Sequence, residues 1–199
     1  MAKVYIPQVM DYNVRSAEKF GELKVMLPDN KQMILASGPL TFKLKQELKE
    51  FAIFAEMGTG KTKIALDNAC ILYNKGRIDR LLVVAPKGTY MNWVDQEIPV
   101  HVPDYIEKDI LAWKPNITEK YELQLKAIRN PENFKLKIFV MNVESLSTKK
   151  GCYYARLFLS SKSMMIVDES TTIKNPQAKR TKNILELSKE APYKRILTA

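Results

Sequence analysis

Ala55-Glu56-Met57-Gly58-Thr59-Gly60-Lys61-Thr62 is the stretch that decides the fold. It follows an apolar segment at 51–54 and precedes residues 63–75, whose apolar side chains recur at helical spacing. A glycine-rich loop between a strand and a helix suits nucleotide phosphates, because backbone N–H groups and the positive end of the helix converge on them. The stretch therefore predicts a loop that binds the phosphates of ATP or GTP.

The residues of this loop have distinct expected roles. Gly58 and Gly60 let phosphate oxygens approach the backbone closely, where a larger side chain would hinder them. Lys61 is expected to reach the β- and γ-phosphates as a point charge, and the Thr62 hydroxyl to ligate Mg²⁺. The usual pattern has glycine where Ala55 stands, so this loop is a variant. The loop residues expected to contact the nucleotide are Met57, Gly58, Thr59, Gly60, Lys61 and Thr62.

A second apolar segment, at 164–167, ends in two adjacent carboxylates, Asp168 and Glu169. This arrangement suits a site that holds Mg²⁺ and orients an attacking water. Asp168 is expected to hold the metal through water and Glu169 to act as general base toward the γ-phosphate. With Lys61, they are the predicted catalytic residues. Two carboxylates after a strand are also typical of a solvated turn or of the first turn of a helix, and that alternative stays open for this segment alone.

From residue 41 onward, short apolar segments alternate with segments of helical periodicity. A short helix after Thr41 is expected first. Strands are predicted at 51–55, 80–85, 110–112, 137–141, 164–168 and 195–198, and helices at 61–75, 90–98, 119–129, 155–159 and 176–189, the last beginning with Asn175 as cap and Pro176 as first residue. This order predicts an α/β fold with a mostly parallel sheet between two layers of helices. Both motifs follow strands, and such sheets bind ligands at the carboxyl ends of their strands.

The first 40 residues differ from the rest. Segments 23–27 and 32–35 flank a Pro-Asp-Asn turn, which predicts a β-hairpin. We therefore expect two units, a small β-rich appendage at 1–40 and the α/β domain at 41–199.

Composition narrows the class of protein. With 46% apolar residues the chain is expected to be globular, and it lacks an apolar run of membrane-spanning length and a signal-peptide core. We expect an intracellular, cytoplasmic protein without a membrane partner. Two cysteines are too few for a disulfide framework or a cysteine-based zinc site, and we expect Cys70 and Cys152 to fill packed helices. The single histidine, His101, is expected in an exposed loop.

Thirty-two basic residues against 22 acidic ones give a formal charge of +10, which favours a polyanionic partner. Solvated surface lysine is the alternative explanation. Several of the basic residues lie near the later motifs, namely Lys149, Lys150, Lys174, Lys179, Arg180, Lys182, Lys194 and Arg195.

Five motifs in this order resemble those of the superfamily 2 helicases, and within them the Swi/Snf-type DNA translocases of a phage or bacterial branch. Residues 55–62 resemble helicase motif I, 82–93 motif Ia, 140–146 motif Ib, 168–176 motif II with its Lys-Asn-Pro extension, and 197–199 the opening of motif III. The resemblance covers roughly residues 42–199. It implies the first of two RecA-like domains, with a second domain following Ala199 in a longer protein.

In this family, ATP hydrolysis with Mg²⁺ drives movement along DNA. The resemblance assigns sequence-independent contacts with the DNA backbone to Pro86, Lys87, Gly88, Thr89, Asn142 and Ser145, adenine recognition to Gln46 and coupling to Thr198. The arginine finger lies on the second domain and is worth about 10³ to 10⁵ in rate in related systems, so we expect weak hydrolysis by this chain alone. Trp93 is expected to pack in a helix rather than stack on a base.

In this family, motif II usually ends in a histidine, whereas this chain reads Asp168-Glu169-Ser170-Thr171. The coupling role that the family gives to that histidine therefore has no corresponding residue here. A nucleotide-gated DNA-binding module without productive turnover is the alternative function. A ring-forming P-loop ATPase is disfavoured, because Ala55-Glu56-Met57 stands where such proteins have Gly-Pro-Pro. Strand separation, polarity, preferred DNA structure and oligomeric state are left open.

Overall fold

One eight-stranded sheet organises the computed structural model, which describes residues 23–26, 32–35, 49–54, 58 and 60–198. Its spatial order is β2-β1-β3-β8-β7-β4-β6-β5. The six strands from β3 to β5 in that order pair in parallel, which confirms the predicted mostly parallel sheet. The strands are β1 (Leu23–Met26), β2 (Gln32–Leu35), β3 (Glu50–Phe54), β4 (Arg80–Ala85), β5 (Lys108–Ala112), β6 (Leu136–Asn142), β7 (Ser163–Asp168) and β8 (Tyr193–Thr198).

Helices connect these strands. They are α1 (Lys61–Asn74), α2 (Tyr90–Asn92), α3 (Ile98–His101), α4 (Glu119–Ala127), α5 (Lys149–Phe158) and α6 (Lys179–Ser188). A π-helical segment, Trp93–Glu97, lies between α2 and α3 and makes residues 90–101 one continuous helical stretch. Two 3₁₀ turns, Val143–Ser147 and Ser170–Ile173, follow β6 and β7.

Alternation along the strands divides the apolar core between the two faces of the sheet. Leu81 and Val83 of β4 face α1 and the helical stretch at 90–101, whereas Leu82 and Val84 face α4, α5 and α6. Both faces of the central strands are therefore covered by helices. The polar ends of these strands are the part of the sheet that can form a binding site.

The predicted hairpin is present, because β1 and β2 pair antiparallel. β1 also pairs antiparallel with β3, with Val25 opposite Ile53, so the hairpin extends the main sheet at its edge. The division of the chain at residue 40 stays a prediction, and the short helix expected after Thr41 lies outside the described residues.

Three expectations about helices need correction. α5 begins at Lys149 rather than near 155, because the Thr148 side chain caps it by accepting from the Gly151 N–H at 3.0 Å. α6 begins at Lys179 with Ala178 before it, and Asn175 instead makes a local turn in which its Oδ1 accepts from the N–H of Gln177 at 2.9 Å. Helical structure also continues past residue 98. None of the helices in the described part of the chain is long and apolar enough to span a membrane.

Candidate nucleotide-binding site

Strand register brings the two predicted motifs to the same edge of the sheet. β8 lies between β3 and β7, and its Thr198 pairs with Phe54, the last residue before the glycine-rich loop. Leu197, one residue earlier, pairs with Asp168 at the end of β7. The loop and the carboxylates are thus one strand apart at the carboxyl edge, where ligands of parallel sheets bind.

A cleft of about 420 Å³ opens at this edge. Lys61 and Asp168, the residues on which the two predicted motifs depend, both contribute to its wall. Gln46, Met57 and Thr59, which were also expected to contact the nucleotide, lie outside the described residues. The lining residues are Gly58, Gly60, Lys61, Thr62, Lys63, Thr89, Asn92, Trp93, Glu97, His101, Asp168 and Glu169.

The loop backbone has the conformation that its glycines permit. Gly58 and Gly60 have φ values of 77° and 80°, in the left-handed region that side chains disfavour. A Cβ added at Gly58 would meet nothing within 4 Å, so the space beside the backbone is open. Gly60 is the N-cap of α1 and no side chain caps the helix. Because first-turn N–H groups have no acceptor within the helix, this end suits an anion.

Lys61 begins α1 and is 9% exposed, which directs its charge into the cleft rather than into bulk solvent. Burial raises the pKa of Asp168, and the charge of Lys61 is the smallest of the effects that oppose this rise. Lys63, two residues on, is held differently: its Nζ contacts both carboxylate oxygens of Asp67, at 2.8 and 2.7 Å. Lys61 therefore begins the helix at the cleft that Asp168 and Glu169 also line.

Asp168 carries its carboxylate in a partly buried setting. Burial raises the pKa of Asp168, and hydrogen bonds from Trp93 and from the Glu169 backbone act in the opposite direction. The indole Nε1 of Trp93 donates to Oδ2 and the backbone N–H of Glu169 donates to Oδ1, each at 3.0 Å. The carboxylate is thus fixed at both oxygens.

Glu169 has a φ of 51° and is the non-glycine residue with positive φ in the described part of the chain. A left-handed backbone at a glutamate costs about 1–2 kcal/mol. Such strain persists where surrounding structure imposes it, and it concentrates at functional sites. Here it turns the chain sharply at the end of β7, so that Asp168 and Glu169 both line the cleft.

The residues present fit a magnesium nucleotide. Within the described ranges, no group of three or more His, Cys, Asp or Glu side chains could hold a metal. Mg²⁺ does not need one, because it is usually bound by one or two carboxylates together with substrate phosphates and water. Asp168 and Thr62, the two expected ligands, line one cleft with an uncapped helix terminus that suits the phosphates.

Sequence reasoning missed one wall of the cleft. Asn92, Glu97 and His101 line it together with Trp93, all from the helical stretch at 90–101. His101 was expected in an exposed loop, which is wrong: it ends α3, is half-buried and lies 3.4 Å from a carboxylate oxygen of Glu97. Trp93 is 2% exposed, which confirms packing, but its bond to Asp168 was not expected. Trp93, Glu97 and His101 are spaced by four residues, which places them on one face of a helix, and this spacing was the sequence pattern that could have indicated the wall.

The residues assigned to DNA contact follow two neighbouring strands. Pro86 to Thr89 form a turn after β4 in which Lys87, Gly88 and Thr89 are exposed. Asn142 ends β6, Ser145 lies in the turn after it, and the two are bonded: the Ser145 N–H donates to Asn142 Oδ1 at 2.8 Å. DNA contact by all six stays a prediction.

Two further residues are buried at this sheet. Thr198, assigned to coupling, is buried at the end of β8, and its role also stays a prediction. Arg195, one of the basic residues near the later motifs, has an exposure of 0% and so does not contribute to a basic surface.

Two solved structures are similar to this chain. The SWI2/SNF2 ATPase core of Sulfolobus solfataricus, solved in complex with dsDNA, matches with a TM-score of 0.53 at 21% identity, over 72% of this chain and 26% of that one. The UvsW helicase from bacteriophage T4 has a TM-score of 0.46 at 13% identity, over 70% of this chain and 43% of that one. No curated protein sequence matches.

The archaeal likeness confirms the RecA-like α/β fold, and this chain spans only about a quarter of the length of that ATPase core chain. The profile of the SNF2-related domain matches residues 40–199, which include all five motifs. The chain belongs to the SNF2-related domain family, as its resemblance to Swi/Snf-type proteins predicted.

Proposed function

We propose that this chain is the ATP-binding motor domain of a DNA helicase or translocase, which couples ATP hydrolysis to movement on DNA. One observation carries the proposal: Lys61 at the start of α1 and the Asp168-Glu169 pair at the end of β7 line a single cleft. A phosphate-binding loop alone would serve many functions. A loop that faces two carboxylates, on a chain of the SNF2-related family, favours hydrolysis of a nucleoside triphosphate.

Each side chain has a defined part in this proposal. Lys61 and the amides at the start of α1 hold the β- and γ-phosphates. Glu169 accepts a proton from the attacking water as its oxygen bonds to the γ-phosphorus, while the bond from that phosphorus to the bridging oxygen of ADP breaks. Asp168 and Thr62 would hold Mg²⁺, which supplies neutralisation of the charge that develops on the phosphate oxygens.

DNA is the proposed partner because of charge and position. The chain has a formal charge of +10, and Lys149, Lys174, Lys179 and Lys182 are exposed. Contacts to phosphates position a protein without reading sequence, so binding should be sequence-independent and sensitive to salt. We further propose an intracellular location, in the host cytoplasm if the protein is of phage origin, and a second RecA-like domain that supplies the arginine finger.

The test compares phosphate release with and without duplex DNA, in this chain and in the complete protein that carries it. We expect slow release by the chain alone and release stimulated by DNA in the complete protein. Glu169→Gln should abolish release in both while ATP affinity is kept, because the amide keeps the shape of the side chain but cannot accept the proton.

Glu186→Gln is the matched control, since Glu186 pairs with Lys189 on the exposed surface of α6, and it should leave phosphate release unchanged. ATP binding without turnover in the complete protein, with DNA affinity that depends on the nucleotide, would instead indicate a nucleotide-gated binding module. Full activity of the Glu169→Gln variant would exclude the proposed base.

A further inference from the structure

The π-helical segment Trp93–Glu97 is an irregularity that the fold does not require. π-helical turns are rare and occur mostly as single turns within α-helices, frequently at functional sites. Here the segment lies between α2 and α3, and its two end residues, Trp93 and Glu97, both line the nucleotide cleft. Of the residues between them, Asp95 and Gln96 are exposed, so the segment presents its two ends to the cleft.

Trp93 joins this segment to the acidic side of the cleft. Its ring packs in the same apolar cluster as α1, and its Nε1 donates to Asp168 Oδ2 at 3.0 Å. The other oxygen of Asp168 accepts from the Glu169 backbone N–H, also at 3.0 Å. A carboxylate with one donor on each oxygen has its plane defined, and an indole held by core packing cannot follow if the carboxylate rotates.

We propose that Trp93 is a positioning residue, which orients the Asp168 carboxylate toward the phosphate-binding loop for the cation that accompanies the nucleotide. This inference rests on the proposed function and adds a residue to it. Trp93 does not touch the nucleotide or the cation in this proposal. It acts through Asp168, as an outer-shell donor fixes a metal-binding side chain.

Trp113 provides a matched control. It is the other tryptophan of the chain, it is 3% exposed against 2% for Trp93, and it packs on Phe139 in the apolar cluster on the opposite face of the sheet. Removal of either indole therefore disturbs a packed core to a similar degree. Of these two indoles, that of Trp93 is the one that donates to Asp168, so an effect on the cation that is specific to Trp93 separates positioning from packing.

The experiment measures the Kd of a fluorescent ADP analogue by anisotropy, with and without Mg²⁺. The ratio of the two Kd values isolates the contribution of the cation. Trp93 is replaced by phenylalanine and, separately, by β-(3-benzothienyl)alanine, which keeps the shape of the indole but has sulfur in place of the N–H. The isosteric analogue makes the test independent of whether Trp93→Phe folds.

We expect both Trp93 variants to reduce the Mg²⁺-dependent ratio about tenfold, the lower end of the loss seen when an outer-shell partner is removed. Because Trp93 lines the cleft, any loss that its replacement causes without Mg²⁺ cancels in the ratio, and Trp113→Phe should keep the wild-type ratio. A wild-type ratio in the benzothienyl variant would show that Trp93 only packs, and would overturn this inference alone. A wild-type protein whose nucleotide affinity does not respond to Mg²⁺, or that binds no nucleotide, would overturn the proposed function as well.

Discussion

The buried guanidinium of Arg195 donates from Nε to Oδ1 of Asn68 at 2.9 Å and so joins β8 to the helix that begins at the phosphate-binding loop. Its Nη1 also donates to the backbone carbonyl of Lys49 at 2.8 Å, and its plane lies over the Phe51 ring at 3.9 Å from the centroid. Burial lowers the pKa of Arg195 to about 9, so the cation is held at neutral pH only against a desolvation cost.

Asn68→Ala should lower the free energy of unfolding by about 2 kcal/mol, because it removes an acceptor from a charged donor that water does not reach. Chemical denaturation followed by circular dichroism measures this. Asn74→Ala is the matched control, since Asn74 lies on the same helix but is exposed and bonds to Tyr105 at the surface. We expect Asn74→Ala to change stability by less than about 0.5 kcal/mol. Equal effects of the two variants would contradict a special role for the Arg195 contact.

Lys61→Ala should weaken ATP binding about ten- to a hundredfold, the effect of losing a charge-assisted hydrogen bond of about 1.5–3 kcal/mol. Isothermal titration calorimetry gives the affinity, and thermal unfolding checks that the fold is kept. Lys63→Ala is a useful comparison, because its Nζ is paired with Asp67 and it should cost less affinity. An ATP affinity unchanged by Lys61→Ala would remove the phosphate site from this loop.

Much of this architecture could be predicted because it depends on local patterns. Four- to six-residue apolar runs indicated the parallel strands, and the glycines before Lys61 indicated a backbone that phosphate oxygens can approach closely; the positive φ of Gly58 and Gly60 came from the structure. The shared edge of the loop and Asp168 followed from the rule that parallel strands present their carboxyl ends together. These features need no knowledge of which side chains meet across the core.

What could not be predicted depends on tertiary contacts. A π-helical turn has no signal in local periodicity, and the bond from Trp93 to Asp168 spans 75 residues. An arginine such as Arg195 is expected at the surface from its sequence alone. Its burial becomes understandable only in the fold, where Asn68 and the Lys49 carbonyl accept hydrogen bonds from its guanidinium. Asn175 before Pro176 predicted a helix cap, but the Asn175 Oδ1 accepts from the Gln177 N–H in a local turn and the helix begins only at Lys179.

Gly151→Ala should destabilise the domain by about 3 kcal/mol, the upper end of the cost of overpacking. A Cβ at this position would lie 2.2 Å from the backbone oxygen of Ser145, and a backbone atom cannot move aside as a flexible side chain can. Urea denaturation measures the change. Gly88→Ala is the control, because a Cβ there meets nothing within 4 Å, and it should be neutral within about 0.5 kcal/mol. Comparable losses for both variants, or no loss for Gly151→Ala, would contradict the clash with Ser145 as the cause.

The two cysteines should differ in their reaction with iodoacetamide. Burial raises the pKa of the Cys70 thiol from 9.0 to about 12, and it also raises the pKa of Cys152, which is only half-buried. Because the thiolate is the nucleophile, native Cys70 should stay unmodified at pH 8 while Cys152 reacts slowly, and mass spectrometry of tryptic peptides distinguishes them.

The raised pKa of Cys70 also makes the stability of the folded domain depend on pH. A thiol whose pKa is raised on folding favours the folded state below pH 9, and this contribution is lost as the pH rises toward 12. Cys70→Ala should therefore flatten the alkaline part of the stability profile, whereas Cys152→Ala should change it less. Rapid alkylation of Cys70 in the native protein at pH 8 would mean that α1 opens far more often than its packing against β3 and β4 implies.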